Sequence, residues 1–390
     1  MAYGAGRGTL MTARRTLEGK VVAMGITGSI AAVEVVRLIH AIRRKGAEVR
    51  PVMSQAAAGI IHPDAVTYAA GHPVITRCTG MVEHVGLCGE GGEADVLLVA
   101  PCTANTLGKI ACGIDDTPVT TFATTALGSG IPVVLAPAMH GSMYRHPAVR
   151  ENLSRLAGWG ADVIGPRLEE GKAKMADTGT IILHVERAVS GKPLAGQRVL
   201  VTGGPCAEPV DDVRILTTRS SGRMGREVAL QAYRLGADVT LVHSGEDVPC
   251  VRNVRVTSAG EMAEAVLGIA EREGFDIYVS AAAISDFAPE RHAGKIPSGK
   301  PVDLRLNPLP KLLDRVREAC HPRIIAFKVG GSGVRAARKM LADGVDLVVV
   351  NPADVMGAGE GDFTILGKDT RIRMKGSKEE AAAILWDAVR

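Results

Sequence analysis

The fold class is set by residues 21–53, which read VVAMGITGSIAAVEVVRLIHAIRRKGAEVRPVM. Val21 to Gly25 and Val49 to Met53 predict strands, whereas Ile30 to Lys45 has the periodicity of a helix. A strand, a helix and a second strand in this order predict a β-α-β unit. Short strands that are apolar on both faces are typical of a parallel sheet with helices on each side.

The same alternation continues through the first half of the chain and restarts in the second half. Further strands of the first half are predicted at 96–100 and 133–136. After Gly191-Lys192-Pro193 we predict strands at 199–202, 239–243, 277–281, 324–327 and 347–350, and a helix at 222–235. The restart indicates that two sheets of the same kind follow one another.

The length of the chain also favours two domains, because 390 residues exceed what one hydrophobic core usually organises. We expect a flexible N-terminal extension at 1–17, a first domain at 18–190 and a second domain at 191–390. The predicted fold class is α/β, with two Rossmann-like or flavodoxin-like three-layer domains built on mainly parallel sheets. Ligands of such sheets bind at the carboxyl ends of strands, so the functional residues are expected in the loops that follow strands.

Composition disfavours several other classes of protein. The chain is 46% apolar and 23% charged, which is typical of a folded globular protein. Its net charge of +4 forms no basic block, so we expect no nucleic-acid partner. The seven cysteines are odd in number and form no CxxC pair, which disfavours a disulfide scaffold or a zinc ribbon. No apolar run approaches the length of a membrane span, about 18 residues, so we expect a cytoplasmic protein without a membrane partner.

The turn after the first strand, 25–30, suits a phosphate. It contains Gly28 and Ser29 at the start of a helix, where backbone N–H groups and the helix dipole favour an anion. Ser54, directly after the second strand, can add a hydroxyl to the same phosphate. A glycine-rich turn of this kind also occurs where a strand merely packs closely on a helix, so this alternative stays open.

Three further segments of the first half carry a more specific pattern. They are His84 in the segment EHVGL, PCTANT at 101–106 and PAMHGSMY at 137–144. Together they resemble the flavin-containing cysteine decarboxylases, in particular phosphopantothenoylcysteine decarboxylase, from about Val21 to Met175. The resemblance implies that FMN is lined by Pro101, Thr103, Asn105 and Thr106, that 137–144 hold the substrate carboxylate, and that His84 is catalytic.

The chemistry that this resemblance implies is oxidation of the substrate thiol by FMN, loss of CO₂ and return of the electrons by the reduced flavin. A histidine poised near neutral pH suits the proton transfer, although a histidine of this kind can also be structural. FMN sites of the family lie between subunits, so a homo-oligomer is implied.

Two departures from the family pattern concern the substrate end of this site. His140 stands where the family usually has asparagine, and the flap at 165–175, GPRLEEGKAKM, lacks the usual cysteine. His140 can still donate a hydrogen bond to a carboxylate. Lys172 and Lys174 are candidates for binding the substrate and helping its protonation; the alternative is that both are solvated flap charges.

Four motifs stand out in the second half: TGGPCAEPVD at 202–211, RSSGRMG at 219–225, SAAAISDF at 280–287 and GKI at 294–296. With them, the chain from about Leu194 to the C-terminus resembles phosphopantothenate-cysteine ligase. The resemblance implies a triphosphate on Ser220, Ser221 and Gly222, a base beside Ala281, Ala282 and Ala283, Mg²⁺ on Asp286, a phosphate on Lys295, and Phe327 near the nucleotide. Asn307-Pro308 and 351–354 are weaker, turn-like matches, and Ser221 can also simply cap a helix.

The whole chain therefore resembles a bifunctional coenzyme A biosynthesis enzyme. The implied reaction begins when 4′-phosphopantothenate attacks CTP to give an acyl-cytidylate, which cysteine converts to phosphopantothenoylcysteine, the substrate of the decarboxylase. Thr218 stands where the ligases often have asparagine. If this replacement slows the reaction, we expect the loss of rate at the amide-forming step. The sequence leaves CTP and ATP as alternatives.

Two other functions are alternatives. In the first, only the ligase is active and the first half of the chain is a flavin-binding regulatory or assembly module. His140 and the missing flap cysteine are compatible with this alternative. An NAD(P) dehydrogenase needs a G-x-G-x-x-G turn followed by an acidic residue, and the turn at Gly25 to Ser29 lacks that spacing.

Overall fold

The computed structural model describes residues 15–330, 333–352 and 359–389. The chain divides into two units between Gly191 and Lys192. The first unit contains strands β1 (Val21–Ile26), β2 (Glu48–Met53), β3 (Val96–Cys102), β4 (Val133–Pro137), β5 (Met139–His140), β6 (Asp162–Val163), β7 (Arg167–Glu169) and β8 (Lys172–Lys174). Its helices are α1 (Val35–Arg44), α2 (Gln55–Ala58), α3 (Pro63–Ala70), α4 (Glu83–Cys88), α5 (Ala104–Ala111), α6 (Pro118–Gly128), α7 (Gly141–Tyr144), α8 (Pro147–Gly158) and α9 (Thr178–Val189).

The main sheet of the first unit is parallel and has the strand order β2-β1-β3-β4-β6. This is the flavodoxin-like order, in which the chain reverses its direction of winding between the first and third strands. The predicted fold class is therefore confirmed for this unit. The reversal leaves a crevice at the carboxyl ends of β1 and β3, where α/β proteins of this type bind their ligands.

Two apolar layers cover this sheet, as expected for strands that are buried on both faces. Val22 and Met24 belong to the cluster on one face, and Ala23 belongs to the cluster on the other. Leu17 is fully buried in the first cluster, and Thr16 donates a hydrogen bond to Glu186. Thr16 and Leu17, which we expected to belong to a flexible extension, are therefore packed against the first unit, and residues 1–14 of that prediction lie outside the described part of the chain.

The predicted helix at 30–45 begins differently from expectation. Its first five residues, Ile30–Glu34, form a 3-10 helix, and α1 follows from Val35. The Ser29 side chain accepts a hydrogen bond from the N–H of Ala31 and so caps this first turn. Tight turns of this kind are frequent at helix starts.

The second unit contains strands β9 (Arg198–Gly203), β10 (Ala207–Pro209), β11 (Ile215–Thr217), β12 (Asp238–His243), β13 (Arg252–Arg255), β14 (Ile277–Ser280), β15 (Phe287–Pro289), β16 (Leu306–Pro308), β17 (Arg323–Val329), β18 (Leu347–Asn351), β19 (Glu360–Gly367) and β20 (Arg371–Ser377). Its helices are α10 (Arg223–Arg234), α11 (Ala259–Arg272), α12 (Leu312–Ala319), α13 (Gly333–Ala342) and α14 (Lys378–Val389).

The main sheet of the second unit has the order β13-β12-β9-β14-β17-β18-β19-β20. Its first six strands are parallel in the Rossmann order 3-2-1-4-5-6, and β19 and β20 extend it as an antiparallel hairpin. The predicted fold class is confirmed here as well, and the winding reverses between β9 and β14. The sequence analysis missed β20, because its residues RIRMKGS alternate between charged and apolar and do not form an apolar run.

Helix α14 closes the second unit against α10. The Trp386 side chain is fully buried, and its Nε1–H donates a hydrogen bond of 3.0 Å to the carbonyl of Val228 in α10. None of the helices in the described ranges is long and apolar enough to cross a membrane.

We predict that Trp386→Ala lowers the free energy of unfolding of the second unit by about 3 to 5 kcal/mol, because it leaves a cavity and removes the hydrogen bond to Val228. Denaturant titration of the full chain, followed by far-UV circular dichroism, measures the change. Trp159 is 54% exposed in the first unit, so Trp159→Ala is the matched control and costs about 0.5 kcal/mol. Equal losses for the two variants would contradict this packing.

Candidate functional sites

The crevice of the first unit is held together by the buried Thr27. Its Oγ1 donates a hydrogen bond to the carbonyl of Pro101 (2.7 Å) and accepts one from the N–H of Thr103 (3.0 Å). This residue therefore fixes the turn after β1 against the turn after β3. Gly28 follows directly, and a Cβ at that position would lie 2.5 Å from the Cβ of Ala56, so no larger side chain fits.

Three of the predicted cofactor-binding hydroxyls cap helices. Ser29, Ser54 and Thr103 accept hydrogen bonds from backbone N–H groups two or three residues further on, at distances of 3.4, 3.3 and 3.2 Å. Capping uses the acceptor side of each hydroxyl and leaves the protons of Ser29 and Ser54 available to a ligand oxygen, whereas Thr103 donates its proton to the hydroxyl of Thr106. The structural and the ligand-binding interpretations of these residues are therefore compatible.

The remaining predicted flavin contacts follow β3. Pro101 and Thr106 are buried, and the hydroxyl of Thr106 lies 3.1 Å from that of Thr103. Asn105 is exposed, and its side-chain amide has no hydrogen-bond partner among the described residues. The turn thus presents one free amide next to the N-terminus of α5.

A cleft of about 430 Å³ lies beside this crevice. Its walls are the β1 turn with the following 3-10 helix, the β4–β5 segment and the flap formed by β7 and β8: Ser29 to Ala31, Val33, Glu34, Ala138 to His140, Arg167 and Lys172 to Met175. His140 and Lys172 are paired across β5 and β8, and His140 Nδ1 lies 3.2 Å from Ser142 Oγ. The structure therefore brings the predicted residues Ser29, His140, Lys172 and Lys174 together.

The two flap lysines differ in their surroundings. The ammonium of Lys174 lies 3.1 Å from carboxylate oxygens of both Glu169 and Glu170. Its hydrogen bond to Glu169 and then that to Glu170 raise the Lys174 pKa. Lys172 has no ion pair with a described residue, so it is the flap cation that remains available to an anion in the cleft.

His84 lies on α4 and is not among the residues that line this cleft. Its Nδ1 is buried without a hydrogen-bond partner among the described residues, and its ring stands edge-on to Phe122 at 6.4 Å between centroids. A buried polar atom without a partner is unusual and is a candidate for contact with a ligand.

The crevice of the second unit is closed by backbone hydrogen bonds. The N–H of Ala281 donates to the carbonyl of Thr202 (3.1 Å), and the N–H of Ala283 donates to that of Gly204 (2.9 Å). The start of α10 reaches the same place, because Gly222 has φ +71° and a Cβ on it would lie 3.1 Å from Gly204 Cα. Only small residues allow the two turns to approach this closely.

A small cleft of about 100 Å³ opens at this crevice. We call it the nucleotide cleft, because the sequence predicts that its lining contacts a nucleotide. Its lining includes seven of the predicted contacts: Ser220, Ser221, Gly222, Ala281, Ala282, Ala283 and Phe327. The other lining residues are Arg223, Met224, Val329, Asn351, Phe363 and Lys378. Residues that are far apart in sequence thus meet at the N-terminus of α10, where an anion is favoured.

A second cleft of about 490 Å³ lies on the other side of the same turn and was missed by the sequence analysis. It is lined by Gly203 to Pro205, Ser221 to Arg223, Arg226, the end of β12 with Leu241 and His243, and the following segment with Gly245, Glu246 and Val248. His243 accepts a hydrogen bond from the N–H of Gly245 (3.2 Å) and contacts Asn253 at 3.0 Å, and burial lowers its pKa. No motif marks this segment, so only the topology could have pointed to it.

Three predicted ligase residues do not line the nucleotide cleft. Thr218 Oγ1 accepts a long hydrogen bond from the N–H of Ser220 (3.5 Å), so it braces the Ser-Ser-Gly turn. Asp286 and Lys295 are exposed. No group of three potential metal-ligating side chains occurs within the described ranges, and residues 353 and 354 of the weaker turn motif lie outside them.

The segment that carries Lys295 is held by Asp211, whose side chain is buried. This carboxylate accepts hydrogen bonds from the N–H groups of Ile296 (3.0 Å), Val213 (2.8 Å) and Arg214 (2.6 Å) and pairs with the Arg214 guanidinium. The bond from Ile296, followed by the others, holds the Asp211 pKa well below its ordinary range.

Two family matches cover the described units. Residues 10–190 match the family described as Flavoprotein, and residues 194–390 match the one described as DNA/pantothenate metabolism flavoprotein C-terminal domain. A protein of Thermococcus kodakarensis called coenzyme A biosynthesis bifunctional protein CoaBC is 45% identical, over 97% of this chain and 96% of its own length. The protein of that name from Escherichia coli is 30% identical, over 86% of this chain and 87% of its own length.

Two solved structures resemble single units of the chain. The C-terminal domain of a CoaBC protein is 28% identical, covers 51% of this chain and 96% of its own, and has a TM-score of 0.43. The FMN-dependent cysteine decarboxylase SpaF is 29% identical, covers 43% of this chain and 99% of its own, and has a TM-score of 0.38.

We predict that Asp211→Asn increases hydrogen exchange in residues 292–298 about tenfold or more at pH 7, because an amide cannot replace a carboxylate that accepts so many hydrogen bonds. The depressed pKa means that the carboxylate stabilises this segment at all pH values above about 3.9, the ordinary aspartate pKa, and that the contribution disappears as the pH falls through the lower folded-state value. The difference between the proteins should therefore persist from pH 5 to 8 and shrink in acid, as read by mass spectrometry. Asp212→Asn, which removes only an exposed ion pair with Arg291, is the control, and an equal effect of both variants would refute the role of Asp211.

Proposed function

The chain belongs to the CoaBC family of bifunctional coenzyme A biosynthesis proteins, and from that premise we propose the chemistry of each unit. The second unit joins 4′-phosphopantothenate to cysteine at the expense of CTP. The first unit then decarboxylates phosphopantothenoylcysteine to 4′-phosphopantetheine with FMN. The observation that carries the proposal is the similarity over 97% of the chain, with a small-residue turn at the winding reversal of each sheet.

The residues of the first unit fit FMN. The turns after β1 and β3 are tied together by Thr27, the Asn105 amide is free, and His84 Nδ1 is buried without a partner in the described structure. When bound, FMN supplies the redox chemistry, by accepting electrons from the substrate thiol and returning them after CO₂ has left. The protein orients the substrate and moves protons, and we assign the proton acceptor to His84.

The substrate carboxylate is assigned to the flap cleft. His140 and Lys172 sit side by side there, and both can donate hydrogen bonds to a carboxylate. Lys174 is paired with Glu169 and Glu170, and we assign it no contact with the substrate. This assignment separates two lysines that the sequence left equivalent.

Because His84 does not line that cleft within one copy of the chain, we propose that the two parts of the site meet in a homo-oligomer. Large apolar side chains of the first unit are exposed, including Ile30 (77%), Tyr68 (82%) and Met81 (80%). Ile30 belongs to the cleft and Met81 lies close to His84 in sequence. A second copy that covers them would complete the site.

In the second unit, the triphosphate is assigned to Ser220, Ser221 and Gly222 at the N-terminus of α10, and the base to Ala281 to Ala283 with Phe327. The substrate carboxylate attacks the α-phosphorus, pyrophosphate leaves, and the cysteine amine then displaces CMP from the acyl carbon. Positioning and charge neutralisation supply most of the rate. Thr218 braces the turn where it replaces the amide of its relatives.

Mg²⁺ usually needs only one or two carboxylates besides substrate phosphates, so a cluster of protein ligands is not required. Asp286 is the proposed carboxylate and Lys295 a proposed phosphate contact. Both lie on exposed segments outside the cleft, so these roles require the segments to approach the bound nucleotide. The preference for CTP, the cytoplasmic location and the absence of a nucleic-acid partner stay predictions from the sequence.

The first test of this function is His84→Asn in the full chain. We expect CO₂ release from phosphopantothenoylcysteine to fall about 100-fold or more, because the proton acceptor is lost. Bound flavin, read from the visible spectrum, and CTP-dependent pyrophosphate release should stay unchanged. Unchanged CO₂ release would remove His84 from the mechanism, and a wild-type chain that retains no flavin and releases no CO₂ would remove the decarboxylase.

The second test compares Lys172→Met with Lys174→Met. We expect kcat/KM for decarboxylation to fall about ten- to a hundredfold in the first variant, the loss expected for a hydrogen bond from a charged donor. Lys174→Met should change it by less than about threefold, since exposed ion pairs contribute little. The reverse ranking would contradict the assignment of the flap lysines.

A further inference from the structure

Lys378 is a buried lysine in the wall of the nucleotide cleft. It is the first residue of α14 and only 7% exposed, and it lines the cleft together with Asn351 and Phe363. Helix α14 starts with a reciprocal cap, in which Ser377 N–H donates to Glu380 Oε2 (2.8 Å) and Glu380 N–H donates to Ser377 Oγ (3.2 Å). The position of Lys378 is thus fixed by the helix start and not by a flexible loop.

The charge of Lys378 has no counterpart in the described structure. No carboxylate of a described residue forms an ion pair with it, and no hydrogen bond from its ammonium to a described residue is present. Burial, followed by the nearby charge of Arg223, lowers the Lys378 pKa. Arg223, the first residue of α10, has no ion pair with a described residue either, and the α10 dipole adds positive potential there.

An ammonium without a partner on a largely buried side chain is costly, and a second cation next to it adds to the cost. Proteins keep such arrangements where a ligand supplies the missing charge, as active-site groups with unfavourable surroundings often do. The rest of the cleft supplies small and apolar groups, Ala281 to Ala283 and Phe327, which suit a base. The cleft therefore has a polar cationic part and an apolar part.

We propose that Lys378 and Arg223 form an anion subsite that binds the pyrophosphate portion of the activating nucleotide, which is the part that leaves. This inference rests on the proposed ligase function and adds a residue from the far C-terminal helix to the turn at 220–222. Lys378 would hold the β- and γ-phosphates during attack on the α-phosphorus and stabilise the charge that develops on departing pyrophosphate.

The test measures binding of three probes, CTP, pyrophosphate and CMP, to the full chain by titration calorimetry. Lys378→Gln should weaken CTP and pyrophosphate about ten- to a hundredfold, as expected for lost bonds from a charged donor, and leave CMP within about twofold. Lys375→Gln is the matched control, because Lys375 is exposed on the preceding strand and does not line the cleft. The control should bind all three probes like the wild type.

The melting temperature of the unliganded protein provides an independent readout. Lys378→Gln should leave it unchanged or raise it, because the variant removes an unpaired buried charge. A lower melting temperature, or equal weakening of CMP and pyrophosphate, would mean that Lys378 is structural and would overturn the subsite. The subsite would also be overturned if the wild type binds CTP and Lys378→Gln binds it with the same affinity. If the wild type binds no CTP, the nucleotide-dependent function itself would be overturned.

Discussion

Both halves of the molecule depend on one constraint, the contact between two neighbouring parallel strands whose following connections run to opposite faces of the sheet. The carboxyl ends of these strands carry turns that must be held close to each other. Their side chains must also leave the crevice between them open for a ligand. The first unit achieves this with the Thr27 hydroxyl, and the second with backbone bonds from Ala281 and Ala283. Side-chain size at Gly28 and Gly222 then decides whether the turns can approach.

The sequence predicted the central parallel strands well because each is a short run of buried apolar residues, as in VLLVA of β3. It did not predict the parallel edge strands β6 and β13, whose residues are partly exposed. It also predicted that the motifs after strands would be functional, and the structure brings Ser220 to Gly222, Ala281 to Ala283 and Phe327 into one cleft. Strands β19 and β20 were missed. β20 alternates exposed charged residues with partly buried ones, which is the pattern of a half-buried strand and differs from the fully apolar runs on which the other strand predictions rest.

What the sequence could not separate were residues of the same type in different surroundings. Lys172 and Lys174 are two positions apart, yet only Lys174 is held by carboxylates, because the flap hairpin places Glu169 and Glu170 beside it. Lys378 was missed because it carries no motif and is distant from the turn at 220–222 in sequence. Its proximity to Arg223 follows from the packing of α14 on α10, with Trp386 bonded to Val228.

The single hydroxyl of Thr27 has a consequence for how the flavoprotein unit acquires its cofactor. Since one buried side chain already joins both turns, their backbone needs little ordering when a phosphate arrives, and the conformational entropy cost was met when the chain folded. These two turns are thus pre-organised within each copy, so that association of the copies is the ordering step that would remain before the cofactor site is complete.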